Sequence, residues 1–312
     1  MYLEHFGLNE MPFSLTPDTS FFMGRAGYQE ALNVLLVALR SGEGFVKLTG
    51  EVGTGKTLLC RTLLKTLHDE FATAYIPNPY LKPASLLLTI ADELGIAYPK
   101  RCTQHQMMRV LNAALLELNA AGRRVLVCMD EAQAIPRETL ETLRLLTNLE
   151  TEKAKLLQVV LFGQPELDRV LAQPSIRQLR QRITFSYELK PLDAAGVEEY
   201  LAHRLSVAGY PDVPLFTRRA MKAMFEASGG IPRLVNILAH KALMCAFGSG
   251  ALLVDKVQIR EAIRDTDDAR RGLEERRAAG ARFKRWVLSG LGLGGLAGLA
   301  LIAQLVHAGF VG

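Results

Sequence analysis

The chain has 312 residues and a mass of 34.4 kDa, with 49% hydrophobic and 22% charged residues, a composition ordinary for a globular α/β protein of one large or two modest domains. Its net charge of +5 sits in one place: Arg276, Arg277, Arg282, Lys284 and Arg285, with no acid among them, account for all of it, which argues against a DNA-binding face on the remainder. The four cysteines form no CxxC pair, the six histidines show no ligand spacing, and "MYLEHFGLNEMPF" has no apolar run of signal-peptide length, so neither a zinc site nor a secreted chain is expected.

Residues 28–40 carry a helical period. "GFVKLTG" (44–50) reads as a short buried strand, followed by a glycine-rich turn and the helical "KTLLCRTLLKTL". "FATAYIPN" is a second strand, and 82–95 and 105–121 are helical. "RRVLVCMDEAQ" is a buried strand ending in acids, expected to lie beside the first, and "PRETLETLRLLTNLE" is a helix with proline in its first turn. "KLLQVVLFGQPEL" supplies a fourth strand and "ITFSYELKPL" a fifth. Apolar strands alternating with helices imply a parallel sheet covered on both faces. After Pro191 the strands cease, and 193–208, 216–227, 232–247 and 255–264 read as helices of a smaller domain. "DTDDARRGLEERRAAGARFKR" is charged all round, a solvated helix or a linker.

From Trp286 to Val311 there is no Asp, Glu, Lys or Arg, a run long enough for the roughly 20 residues that a bilayer core requires. The basic residues before it predict a cytoplasmic body with Trp286 at the membrane interface. Gly290, Gly294 and Gly298 make two overlapping GxxxG motifs, either a helix-contact face or simply a span rich in small residues. The expected divisions are 1–190, an α/β domain; 191–265, a smaller helical domain; 266–285, a charged linker; and 286–311, a transmembrane helix.

"GEVGTGKT" (50–57) fits G-x-x-x-x-G-K-[ST] in full, with an apolar strand before it and a helix after it. Gly50, Glu51, Val52, Gly53, Thr54, Gly55, Lys56, Thr57 and Leu58 are therefore the expected nucleotide-binding residues. The glycines let backbone amides wrap an anion, Lys56 reaches the β and γ phosphates, and the Thr57 hydroxyl ligates Mg²⁺. Asp130 is placed to join Thr57 at Mg²⁺, and Glu131 to polarise the attacking water. No N/T-K-x-D motif that reads guanine occurs, which favours ATP. Gln164 ends the fourth strand where the sheet faces the γ-phosphate, or is a helix-entry residue before Pro165. Among Arg177, Arg180 and Arg182, either Arg180 or Arg182 is the candidate arginine finger toward a neighbouring subunit, the alternative being a solvated surface cluster. Arg233 sits in the first turn of a helix, where a cation opposes the helix dipole unless an anion joins it.

With these residues in place the chain resembles the AAA+ ATPases, and within them the general secretion pathway A-type family, on "MYLEHFGLNEMPFSLTPDTSFFM", "GEVGTGKTLLC", "DEAQ", "FGQPEL", "LRQRI" and "GGIPRLVN", over about residues 1–265. The resemblance implies an α/β P-loop domain with a helical lid, ATP and Mg²⁺ as cofactors, hydrolysis coupled to subunit rearrangement, and homo-oligomeric rings such as hexamers. By the same similarity Gln164 stands at sensor 1 and Arg233 at sensor 2. Because the apolar run ends the sequence without a peptidoglycan-binding region beyond it, the chain looks closest to the shorter members associated with the mannose-sensitive haemagglutinin type IV pilus. The expected protein is then a pilus-biogenesis ATPase anchored in the bacterial inner membrane by one C-terminal span, with pilus or secretion membrane proteins as partners. A general secretion pathway A-type secretin assembly ATPase and a nucleotide-gated scaffold are the alternatives, and nucleic acid is not an expected partner.

Overall fold

A computed structural model describes residues 2–150 and 155–276, together with 278 and 282. Five strands form a parallel sheet: β1 (Phe45–Gly50), β2 (Phe71–Ile76), β3 (Arg124–Met129), β4 (Leu157–Gly163) and β5 (Ile183–Leu189), in the order β2-β3-β4-β1-β5. Alternating residues of the central strands feed two apolar layers. Val46, Leu48, Cys128, Val160 and Phe162 face the helices Ala26–Arg40 and Lys56–Leu67. Val125, Val127, Met129, Val159 and Leu161 face Pro83–Glu93, Gln104–Ala120 and Arg137–Leu146. Burial on both sides explains why β4 reads as an unbroken apolar run, whereas the edge strand β5 alternates.

The sequence pattern placed β3 beside β1, and the structure corrects this: β4 lies between them. The helix Lys56–Leu67 must cross the sheet to reach β2 at the far edge, and it passes over β4 on the way. That crossing carries Thr57 toward Asp130 without the two strands being neighbours.

Beyond β5 the helices Ala194–Val207, Arg218–Ser228, Pro232–Gly248 and Lys256–Arg264 share the apolar layer of the first sheet face. Arg25 ties the two parts together, donating to Asp193 at 2.7 Å and to Glu199 at 2.8 Å. Residues 267–276 are helical, with Ala269 buried and the Arg276 guanidinium donating to the carbonyls of Glu226 and Ala227.

The expected C-terminal transmembrane helix does not stand as part of the fold class. Among the described residues no helix is long and apolar enough to cross a membrane. The longest helical elements among the described residues, Gln104–Ala120 and Pro232–Gly248, have 17 residues each and turn one side into the protein core. Residues 286–311, on which that expectation fell, lie outside the described residues, and the single-pass anchor and the cytoplasmic placement drawn from it are withdrawn with it.

The N-terminal helix Tyr2–Phe6 docks on the last long helix, where the Tyr2 hydroxyl lies 2.9 Å from His240 Nδ1. Burial pushes Tyr2 up to about 12 and holds His240 below its usual 6.5, so the tyrosine donates to a neutral imidazole. The unfolded chain then binds the His240 proton more readily than the folded one. This contribution to stability is complete above about 6.5 and is lost as pH falls through the lower folded value. Urea midpoints should decline from pH 7.5 to pH 5.5, and His240→Phe should flatten part of that slope; an unchanged slope in the variant would remove His240 as its source.

Candidate functional site

At the carboxyl end of β1 the chain turns through Glu51–Gly55 into the helix Lys56–Leu67. Gly53 (φ +81°) and Gly55 (φ +93°) adopt left-handed backbone. A Cβ on Gly53 would lie 2.7 Å from that of Arg233, so the position is closed to side chains as well as strained. Lys56 is buried, its ammonium donating to the carbonyls of Gly50 at 2.8 Å and Glu51 at 3.0 Å. Burial lowers its pKa, while the nearby Glu131 and Asp130 charges oppose that shift.

Thr57 Oγ1 donates to Asp130 Oδ2 at 2.7 Å, and the Tyr75 hydroxyl donates to the same oxygen at 3.3 Å. Glu131 follows with φ +50°, the one non-glycine residue at positive φ among the described residues. Gln133 Nε2 donates to Glu131 Oε2 at 2.6 Å, and Gln164 Nε2 donates to the same oxygen at 3.0 Å. The Gln164 amide N–H in turn donates to Gln133 Oε1 at 2.9 Å, so the ends of β3 and β4 are joined through Glu131 and Gln133.

A cleft of about 270 Å³ opens over this loop, lined by Gly53, Gly55, Lys56, Thr57, Leu58 and Glu131 from below and by Pro232, Arg233 and Asn236 from the helical part. The Arg233 backbone N–H donates to Gly53 O at 3.1 Å, which seats the start of the helix Pro232–Gly248 on the loop. Gln164 reaches the site through Glu131. Arg180 and Arg182 are not among the cleft residues: Arg180 is exposed, and Arg182 reaches Thr147 Oγ1 at 3.4 Å. Ile183, the residue after Arg182, pairs with Phe45 at the start of β1, and the loop leaves from Gly50 at the other end. The two arginines therefore stand at the opposite end of the sheet from their own chain's loop.

Several residues of the site escaped the sequence analysis. Ser14–Asp18, Tyr200, Arg204 and Asn236 all line the cleft. Arg204 is buried with its guanidinium over the Phe21 ring at 4.5 Å, and it donates to the Pro12 carbonyl, to Ser14 O at 3.3 Å and to the Tyr200 hydroxyl at 2.9 Å. It clamps the N-terminal segment against the helical part. The available signal was Phe13, Phe21 and Phe22 in a stretch with neither helical nor strand period, which marks a loop laid onto a core. Gln133 stood inside the quoted "DEAQ" without a partner to give it meaning.

Comparison with known proteins agrees with this geometry. Residues 39–171 match the AAA domain family. The matched stretch contains the loop, Asp130, Glu131 and Gln164. The chain is similar to general secretion pathway protein A of Aeromonas hydrophila, 47% identical over 251 residues, which cover 80% of this chain and 46% of that protein. The chain thus spans less than half the length of the curated relative it matches. This similarity is to a secretion protein A and lends no support to a closer kinship with pilus members. Among solved structures, Cdc6p from Pyrobaculum aerophilum superposes with a TM-score of 0.66 at 18% identity, covering 81% of this chain and 70% of that one. The ORC2 protein of Aeropyrum pernix, solved in ADPNP–ADP complexes, gives 0.61 at 18% identity over 83% of this chain and 72% of that one. Both share their fold with this chain.

Proposed function

We propose that the chain is an ATP-hydrolysing motor that drives assembly of a secretion apparatus of the general secretion pathway type or of a related type IV pilus. The observation that carries the reading is the convergence of Lys56, Thr57 and Glu131 on one cleft, with the buried Asp130 Oδ2 only 2.7 Å from Thr57 Oγ1. The 47% identity favours the secretion apparatus over the pilus.

In this reading the amides of Gly50–Leu58 cradle the phosphates and Lys56 exchanges its two carbonyl partners for the β and γ phosphate oxygens. Thr57 Oγ1 and Asp130 Oδ2, a hydroxyl beside a carboxylate, are the side-chain atoms that would hold Mg²⁺. When bound, Mg²⁺ neutralises charge building on the β and γ phosphates. Glu131 accepts the proton of the water that attacks the γ phosphorus as the bond to the β–γ bridging oxygen breaks. Gln164 fixes the carboxylate that does so, and Arg233 brings a cation from the helical part. Arg180 or Arg182 would serve a neighbouring subunit's nucleotide in a homo-oligomeric ring, because neither lines its own cleft.

The 312-residue chain should release phosphate from ATP in a Mg²⁺-dependent manner, and Lys56→Ala should lower turnover by at least about 100-fold. Wild-type turnover in that variant would remove the phosphate-binding role. As the client test, Glu131→Gln loaded with ATP should co-purify with components of a secretion apparatus, and recovery of none of them would remove the assembly role while leaving the hydrolysis untouched.

A further inference from the structure

Tyr28, in the first turn of the helix Ala26–Arg40, is buried and is not among the residues that line the cleft. Its hydroxyl donates to the Thr54 carbonyl at 2.5 Å and is the one hydrogen-bond donor to that oxygen among the described residues. Its ring packs on the next residue of the loop: a Cβ on Gly55 would lie 3.4 Å from Tyr28 Cε1. Resting on the ATP reading above, we propose that Tyr28 is a positioning residue for the phosphate loop: by holding the Thr54 carbonyl it turns the amide of the same peptide unit, Gly55 N–H, toward the phosphates.

Covalent geometry links the two atoms. The Thr54–Gly55 peptide is trans and planar, so its C=O and N–H point in opposite directions. The carbonyl points at Tyr28, behind the loop, and the Gly55 amide, which has no acceptor among the described residues, points the other way, where Gly55 lines the cleft. Glycine by itself leaves that orientation open. Turning the peptide over reverses the sign of φ at the residue after it, and glycine takes either sign about equally readily. Gly55 stands at φ +93°, so something outside the loop has to choose between the two settings. The bonds within the loop do not choose: Thr54 N–H and Oγ1 both donate to Glu51 O, at 3.3 and 2.8 Å, and hold Thr54 on the other side of its Cα. Burial raises the Tyr28 pKa above the ordinary 10, so the hydroxyl keeps the proton that it donates.

The test is equilibrium binding of ATP to the 312-residue chain and to its Tyr28→Phe variant, which keeps the ring against Gly55 and loses only the hydroxyl. With the carbonyl released, the loop spends part of its time with the amide turned away, and apparent affinity falls by the competent fraction. ATP binding should weaken at least about fivefold at an unchanged number of sites per chain. Inorganic tripolyphosphate, which carries the phosphate chain without a nucleoside, should weaken as a competitor by the same factor. ATP affinity within about twofold of the wild type overturns the proposal. So does a loss that tripolyphosphate does not share, which would place the effect at the nucleoside. Fewer sites at unchanged affinity would make Tyr28 a residue that only holds the fold, and overturn it equally. Binding of no ATP by the wild type would remove this proposal together with the motor reading, whereas wild-type binding that Tyr28→Phe leaves intact would remove the positioning role alone.

Discussion

Glu131→Gln should lower ATP turnover by about 10²- to 10⁴-fold while leaving ATP affinity within about twofold of the wild type. The substitution is nearly isosteric and keeps a Cβ, so the strain of the left-handed backbone at this position is unchanged. Its side-chain oxygen can still accept from the Gln133 and Gln164 amides that hold Glu131 Oε2 at 2.6 and 3.0 Å. What disappears is the capacity to take a proton from the attacking water. Affinity is governed by other groups, chiefly the loop amides and Lys56, which the change does not touch. Phosphate release under saturating ATP, read beside direct binding, separates the two terms. A fall below tenfold would mean that another group activates the water. Gln133→Leu offers the complementary comparison: it keeps the carboxylate but removes one of its two donors and the link to the Gln164 amide, so it should lower kcat with little change in KM. In a Glu131→Gln background the same change should cost almost nothing further, because Gln133 acts through the carboxylate.

Gly230→Ala should destabilise the fold by roughly 2–5 kcal/mol, the sum of left-handed backbone strain and overpacking. Gly230 has φ +76°, and a Cβ there would fall 1.8 Å from the Leu192 carbonyl oxygen. Neither side has room to yield, since the Leu192 amide donates to Gly230 O at 2.9 Å and the Leu192 side chain is buried. This contact joins the exit of β5 to the turn that launches the helix Pro232–Gly248, so a shift here also displaces Arg233 and Asn236 from the cleft. Gly122→Ala isolates the strain term. Its φ of +77° is nearly the same, and a Cβ there meets nothing within 4 Å, so it should cost only about 1–2 kcal/mol. Urea midpoints of the two variants compare the terms directly, and equal losses would show that the Leu192 contact relaxes freely. Weakened ATP binding should accompany the Gly230 change alone.

How far these features could be read in advance depends on the range of the interaction behind them. "GEVGTGKT" announces its own geometry because a phosphate cradle is made of consecutive backbone amides, and the strand before it and helix after it are neighbours in sequence. The apolar runs of β1, β3 and β4 are equally local signals of strands buried on both faces. Strand order is a different matter. Each strand's pattern satisfies its own burial and says little about which strand lies next to it, so β4 was not foreseen between β1 and β3. The uncharged run 286–311 shows the same limit from the side of composition: it states that a segment is apolar, and the expectation of a membrane helix finds no support among the described helices.

Local chemistry, then, was written in the order of the residues: a phosphate loop, an acid pair at a strand end and the rhythm of a two-layered parallel sheet. Tertiary structure alone decided which distant side chains complete the site. Gln133 and Gln164 converge on Glu131 because β3 and β4 are adjacent, and Asn236 meets Ser14 across 222 positions because the last long helix is seated on the loop. Arg180 and Arg182 were carried to the far end of the sheet by the same parallel pairing that brought the loop and the acids together. Backbone amides act on their immediate surroundings, whereas a side chain acquires a partner only after packing has chosen its neighbours.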